Sequence, residues 1–245
     1  VGVGFGNTVI LKNEERKIEK TTVEDSNAEM DRLKKAIEEV TKETEEIVNK
    51  STGTEKEIMS AYLMILQDPA LTQETENGIK DLKYSAEYAV EVGFNSVIQI
   101  FENMDDEYMA GRSRDIADIK DRVLAKLLNE QTINISELNP NTIIVATELT
   151  TSDTAKLDFK NVSGIITELG GENSHTSIMA RKRAIPAITK VEDAIKISFS
   201  PVVFLADINS SSSFKVIAIL PFVLMFSNSL ILVLLINPFL VQKII

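Results

Sequence analysis

The sequence predicts an α+β protein, an α/β unit into which an antiparallel all-helical bundle is inserted, and three observations carry that expectation. Short apolar, β-branched runs stand on both sides of a long helical stretch, at residues 8–11 before it and at 142–146 and 164–167 after it. Between them, from residue 26 to residue 130, the apolar residues keep helical spacing, and the connections are short enough to make neighbouring helices antiparallel. After Asn139-Pro140 the order is strand, helix, strand, glycine turn, helix, which is an α/β arrangement.

The elements follow in order. Gly2, Gly4 and Gly6 read as a glycine-rich turn leading into a strand at 8–11. Their Gly-x-Gly spacing invites a nucleotide-binding reading, but that fingerprint needs a strand before the glycines and a helix after them, and here the order is reversed. From Ser26, Met30, Leu33, Ile37, Val40, Thr44, Ile47 and Val48 recur every three or four residues between Glu and Lys, so a long amphipathic helix is expected. The stretch 51–54 ends it, and Thr54 is the expected cap of the next helix, with Glu57 completing a capping box. That helix runs to about Gln67, where Asp68-Pro69 stops it; further helices are expected at 71–92, 93–103 and 105–130. In domain terms, residues 1–20 and 134–200 form the α/β unit, 21–133 the helical unit and 201–245 an atypical apolar tail.

Composition narrows the chemistry. The 245 residues are 44% hydrophobic and 26% charged, ordinary for a chain that folds. With 37 acidic against 26 basic residues the formal charge is -11, a field that opposes nucleic-acid phosphates, so no nucleic-acid partner is expected. Cysteine is absent, which excludes disulfides and thiolate chemistry. That fits a reducing, cytoplasmic setting, and residues 1–10 lack the basic start and apolar core of a secretion signal.

One histidine occurs in the chain, and its setting marks it. In Gly170-Gly171-Glu172-Asn173-Ser174-His175-Thr176-Ser177, the glycines follow an expected strand and permit close backbone approach, while Ser174 or Thr176 can cap the helix that continues through Met179 and Arg183. His175 therefore falls at a helix N-terminus, where unpaired N–H groups and the positive end of the helix dipole favour an anion. An imidazole of ordinary pKa, about 6.5, is largely neutral near pH 7 and has a ring nitrogen available for attack or for proton transfer. A phosphoryl group placed on it would bring charge to donors already aimed there. Serine-hydrolase chemistry would need a nucleophile elbow, and none is present. The structural alternative is a histidine that caps its own helix.

The block from Gly170 to Arg181, followed by Ala184-Ile185-Pro186-Ala187-Ile188, resembles the phosphohistidine signature of enzymes that use phosphoenolpyruvate. Among them it is most similar to enzyme I of the bacterial sugar phosphotransferase system. Leu149-Thr150-Thr151-Ser152-Asp153-Thr154-Ala155 is similar to a further segment of that family. So are Asp105-Asp106-Glu107-Tyr108, Arg114-Asp115-Ile116 and Asp118-Ile119. The resemblance implies a phosphohistidine (swivelling) α/β subdomain with an inserted helical subdomain that docks the carrier protein HPr. It implies a transferase that moves a phosphoryl group from phosphoenolpyruvate through His175 to HPr in sugar uptake. Thr154 matches the threonine that orients the family's histidine, Gly170, Gly171, Ser174 and Thr176 match its turn, and Arg181 matches the arginine on the following helix.

The resemblance also assigns phosphoenolpyruvate and Mg2+ to a barrel that follows this domain, so no metal or cofactor is expected in the present residues. A fragment lacking that barrel would at most exchange phosphate with phospho-HPr or receive it from a barrel supplied in trans; the alternatives are a catalytically silent HPr-binding fragment or the swivelling domain of a phosphoenolpyruvate synthase or pyruvate phosphate dikinase. After Ile188 the family pattern is not recognisable, the final strands are expected to be missing, and 216–241 contains no charged residue. Residues 216–236 are long enough to span a bilayer, but Pro221 and Ser227-Asn228-Ser229 interrupt them, and loss of reading frame near 190–198 is the favoured reading.

Overall fold

The computed structural model describes residues 2–11, 16–130, 133–171, 174–196 and 202–206. They form two compact units. One draws its described residues from Val1–Glu14, Asn134–Thr150 and Leu157–Ile245, the other from Glu15–Ile133 and Thr151–Lys156. The α+β class expected from the sequence is the class found. The division differs from the sequence reading in three places: residues 16–20 and the short helix at 151–156 go with the helices rather than with the sheet, and residues 202–206 go with the sheet rather than with the apolar tail.

The sheet unit holds five strands, β1 (Gly2–Leu11), β2 (Thr142–Ala146), β3 (Val162–Thr167), β4 (Ala187–Ile188) and β5 (Val202–Ala206), in the order β4-β3-β2-β1-β5. The pairs β1–β2, β2–β3 and β3–β4 are parallel, and β5 is antiparallel to β1. Here β1 does more than the expected short strand: its second half, from Asn7, pairs with β2, while the glycine half, Gly2 to Gly6, pairs with β5. The glycines are thus strand and not turn. Alternation puts Gly4 and Gly6 on one face, and a Cβ at Gly6 would strike the Asn141 carbonyl. β5 also corrects the expectation that the final strands are missing. Every residue of β2 is buried, with Ile143 and Val145 packed beside Ile166 and Ile188 on one face and Ile144 and Ala146 beside Ile165 and Ala180 on the other. Burial on both faces is why 142–146 reads as a continuous apolar run.

The helical unit contains α1 (Ser26–Lys50), α2 (Thr54–Leu66), α3 (Pro69–Lys80), α4 (Ala86–Glu102), α5 (Glu107–Leu127) and α6 (Thr151–Lys156). Along α1 the residues Met30, Leu33, Val40, Thr44 and Ile47 are buried as expected, joined by Ala36. Asp25 caps it, accepting from the N–H groups of Asn27 and Ala28. Thr54 is not the cap of α2: it is the first helical residue, and Gly53, with φ of 60°, precedes it without a side-chain cap. Gln67 caps the end of α2, and Asp68 caps α3, with Pro69 at the first helical position where its missing N–H costs nothing.

The break expected at Val92-Gly93 lies instead at 81–85, where Lys83 turns left-handed (φ 55°) and Ser85 caps α4. Neither residue is a conventional helix stop, and Gly93 is: it sits inside α4 because a Cβ there would run into Thr75, whose backbone nitrogen would be 2.8 Å away. Residues 216–236, read as a span or a frame-loss product, lie outside the described residues. Among those described, no helix is long and apolar enough to cross a membrane.

Candidate functional site: the His175 turn

The chain leaves β3 at Thr167 and stays registered with the strand beside it, since the N–H groups of Glu168 and Leu169 donate to the carbonyls of Ala146 and Thr147. The Thr167 hydroxyl then donates to the Leu169 carbonyl at 2.7 Å. Gly170 turns the chain with φ of 93°, a conformation L side chains rarely adopt, and a Cβ there would lie 3.3 Å from Ser174 Oγ. Gly171 is different. Its φ lies outside the left-handed region, and the nearest atom to a Cβ would be Lys190 Cε at 3.8 Å, so of the two glycines only Gly170 is required by the backbone.

Helix α7 (His175–Lys182) begins directly after this turn. Ser174 is its cap: Oγ accepts from the Ser177 N–H at 3.2 Å, and its own hydroxyl donates to Ser177 Oγ at 3.0 Å. The Ser177 hydroxyl passes on to the Gly171 carbonyl at 2.7 Å, which also accepts from the Ser174 N–H. The two hydroxyls form a directed chain that closes the turn on itself. Thr176, the other candidate cap, is buried and donates to the Leu149 carbonyl at 3.3 Å, tying α7 to the segment after β2.

His175 is therefore the first residue of α7, half-buried, at the helix's positive end. Arg181 is exposed and lies in the last turn, six residues on; at ~1.5 Å per residue its backbone is about 9 Å along the axis from His175. The backbone does not bring it into the turn with which the sequence grouped it. Near the C-terminal end of α7 its charge complements the helix dipole.

Thr154 lies in α6 of the helical unit, 1% exposed, and its hydroxyl donates to the Thr151 carbonyl at 2.9 Å. Around α6 the helical unit builds a buried polar cluster. Asp118, on α5 and 7% exposed, accepts from both the N–H and the hydroxyl of Ser152, at 3.2 and 3.0 Å. Tyr62 donates from α2, its oxygen 3.1 Å from Asp118 Oδ2 and 3.1 Å from Asp115 Oδ1. A phenol has one proton for these two carboxylates. Burial pushes Asp115 above the ordinary carboxylate range, against the pull of Tyr62 and Arg112, towards holding a proton of its own. At the other end of α6, Lys156 reaches Glu43 of α1.

Glu43 also pairs with Arg122 and Lys126. Burial would raise its pKa, but these cations outweigh burial and hold the carboxyl below its usual range. Lys156 is shifted down, by burial first and then by Arg122. Among the described residues no group of three or more His, Cys, Asp or Glu could hold a metal ion.

Sequence reasoning missed Ser177, Thr167, Asp118 and Tyr62. Ser177 had a local signal, a hydroxyl three residues after the cap. Asp118 stood in a pair that the family resemblance picked out, but its partner Ser152 on α6 is 34 residues away in sequence, and Tyr62 had no signal, because its partners Asp115 and Asp118 on α5 are 53 and 56 residues away.

Two family models match the chain: the N-terminal region of PEP-utilising enzymes over residues 1–112, and the mobile domain of PEP-utilising enzymes over residues 138–210. The second match runs past Ile188, where the sequence reading saw the pattern end, and it takes in β5, the apolar run that pairs with β1. The phosphoenolpyruvate-protein phosphotransferase of Priestia megaterium is 39% identical over 191 residues, covering 76% of this chain and 33% of the relative. That of Bacillus subtilis is 36% identical over 197 residues, 79% of this chain and 35% of the relative. The matched region thus spans about a third of the length of these curated relatives. An NMR solution structure of Enzyme I superposes with a TM-score of 0.75 at 30% identity, covering 85% of this chain and 86% of that one. The N-terminal domain of Enzyme 1 - Nitrogen, with a TM-score of 0.59 at 23% identity, shares the fold. With both family models matching in order, and the fold of an Enzyme I structure reproduced over most of its length, the chain belongs to the phosphoenolpyruvate-utilising enzymes, in the group of enzyme I.

Proposed function

We propose that His175 is the phosphoryl carrier of a phosphoenolpyruvate-protein phosphotransferase, taking the group from phosphoenolpyruvate and passing it to HPr in sugar uptake. The observation that supports it most is a half-buried imidazole at the first position of α7, directly after Ser174, which the hydroxyl chain through Ser177 ties to the Gly171 carbonyl. In the forward step a ring nitrogen of His175 attacks phosphorus, the P–O bond to the enol oxygen breaks, and enolpyruvate leaves to be protonated to pyruvate. In the second step the P–N bond breaks as a nucleophile on HPr takes the group. Little covalent work falls to the protein in such in-line transfers, so positioning and charge stabilisation carry the catalysis. The positive end of α7 stabilises the phosphohistidine more than the neutral imidazole, the direction that favours loading.

Thr154 is the residue that orients His175 in this reading, and Arg181 belongs to its helix without being placed in the turn. By family resemblance Mg2+ and phosphoenolpyruvate belong to a barrel domain, and among the described residues no group of three or more His, Cys, Asp or Glu could hold the ion. A cytoplasmic protein is the setting this reading implies.

The test uses the purified chain with labelled phospho-HPr and, separately, with labelled phosphoenolpyruvate, followed by assay of acid-labile label on the chain and on His175→Ala. Label from phospho-HPr that vanishes in the variant is the expected result. A folded chain that takes no label from either donor refutes the transfer and leaves a silent HPr-binding module.

A further inference from the structure

We infer that Asp118, held by Tyr62, is a positioning residue: it fastens α6 to the helical unit and so sets the place of Thr154. The inference rests on the proposed role of Thr154 towards His175, and its first half can be measured without that role. Helix α6 has six residues, far below the ~12–15 at which an isolated helix becomes marginal in water. Something outside it must hold it. The sequence encodes it between two strands of the sheet, yet its contacts belong to the helical unit.

At the N-terminal end, Asp118 accepts the Ser152 N–H, one of the first-turn donors for which the helix has no internal partner, and presents negative charge where the dipole favours it. The same carboxylate takes the Ser152 hydroxyl on its other oxygen. Tyr62, 1% exposed, donates to the oxygen that faces the Ser152 N–H, which fixes the carboxylate's rotation. Mid-helix, Ala155 packs against the apolar core of the helical unit. At the C-terminal end Lys156 reaches Glu43 at 3.9 Å, a long and weak contact beside the three hydrogen bonds on Asp118. Thr154 lies between these fastenings, so its hydroxyl is set by α5 and α2. A loss at Asp118 should reach His175 only by way of Thr154.

The experiment uses the full chain with Asp118→Asn and, since a buried carboxylate is a risk to folding, Tyr62→Phe, which takes the hydroxyl away from Asp118 and Asp115 and leaves the ring in place. Amide hydrogen exchange is followed across α6 and across α1 and α4. Faster exchange confined to α6 in both variants is expected; unchanged protection of α6, or an equal loss in every helix, overturns the inference. The rate of transfer from phospho-HPr to His175 is then measured in each variant and in the same variants carrying Thr154→Val. Asp118→Asn should slow transfer by about tenfold, the scale set by hydrogen bonds to a charged group, and should slow it no further when Thr154 is already Val. Losses that multiply in the double variant overturn it too. A wild-type chain that takes no label at all refutes the proposed function instead, and the exchange result then decides the anchoring alone.

Discussion

Replacing each glycine of the His175 turn by alanine separates backbone need from mere presence. At Gly170 the native φ of 93° places an L residue in left-handed territory, which costs roughly 1–2 kcal/mol. The new Cβ would also sit 3.3 Å from Ser174 Oγ and 3.4 Å from Ser174 Cβ, tighter than most real contacts, so Ser174 must give way. Since Ser174 caps α7, disturbing it puts a further ~1 kcal/mol at risk. Together these give about 2–3 kcal/mol for Gly170→Ala, against ~1 kcal/mol for Ser174→Ala, which loses the cap alone. At Gly171 the backbone is not left-handed and a Cβ meets nothing nearer than 3.8 Å, so alanine there should be neutral, or stabilising by up to ~1 kcal/mol through the unfolded chain.

The assay is urea unfolding of the three variants, read beside the initial rate of His175 phosphorylation from phospho-HPr. Both readings should fall in the order Gly171→Ala, Ser174→Ala, Gly170→Ala. A Gly170→Ala protein as stable and as fast as wild type, or a Gly171→Ala protein harmed as much as Gly170→Ala, would refute the geometry of the turn.

Two further outcomes test the helical unit. Gly93→Ala gains about 1 kcal/mol of helix propensity but drives a Cβ into Thr75, an overpacking cost of roughly 1–3 kcal/mol, so net destabilisation in urea unfolding is expected; a gain would mean that α3 and α4 do not close at that point. The second concerns acid. Because the folded-state pKa of Glu43 is lowered, the native state binds fewer protons there than the unfolded chain, and the stability this contributes is complete above 4.5 and lost as pH falls through the folded value. The difference in unfolding free energy between wild type and Glu43→Gln should therefore narrow from neutral pH to about pH 3, and a difference that widens on acidification would reverse the sign assigned to the cluster.

What the sequence determined by itself was whatever rests on local period and local chemistry. The apolar face of α1, the buried run of β2, the short helix α6 and the start of α7 at His175 all follow from spacing or from a turn residue beside a cap. The signature around His175 is contiguous, so the family was legible too. Where the sequence misled, a long-range contact had overridden the local cue. Gly93 looked like a helix end and is a helix contact, because its meaning depends on Thr75. Gly2, Gly4 and Gly6 looked like a turn and form a strand, because β5, some two hundred residues on, pairs with them. Only the tertiary structure decided that α6 belongs with the helices, since a six-residue helix takes its stability from whatever satisfies its ends. Those partners, Asp118 and Tyr62, are brought to it by the packing of α5 and α2, a fact no window of sequence contains.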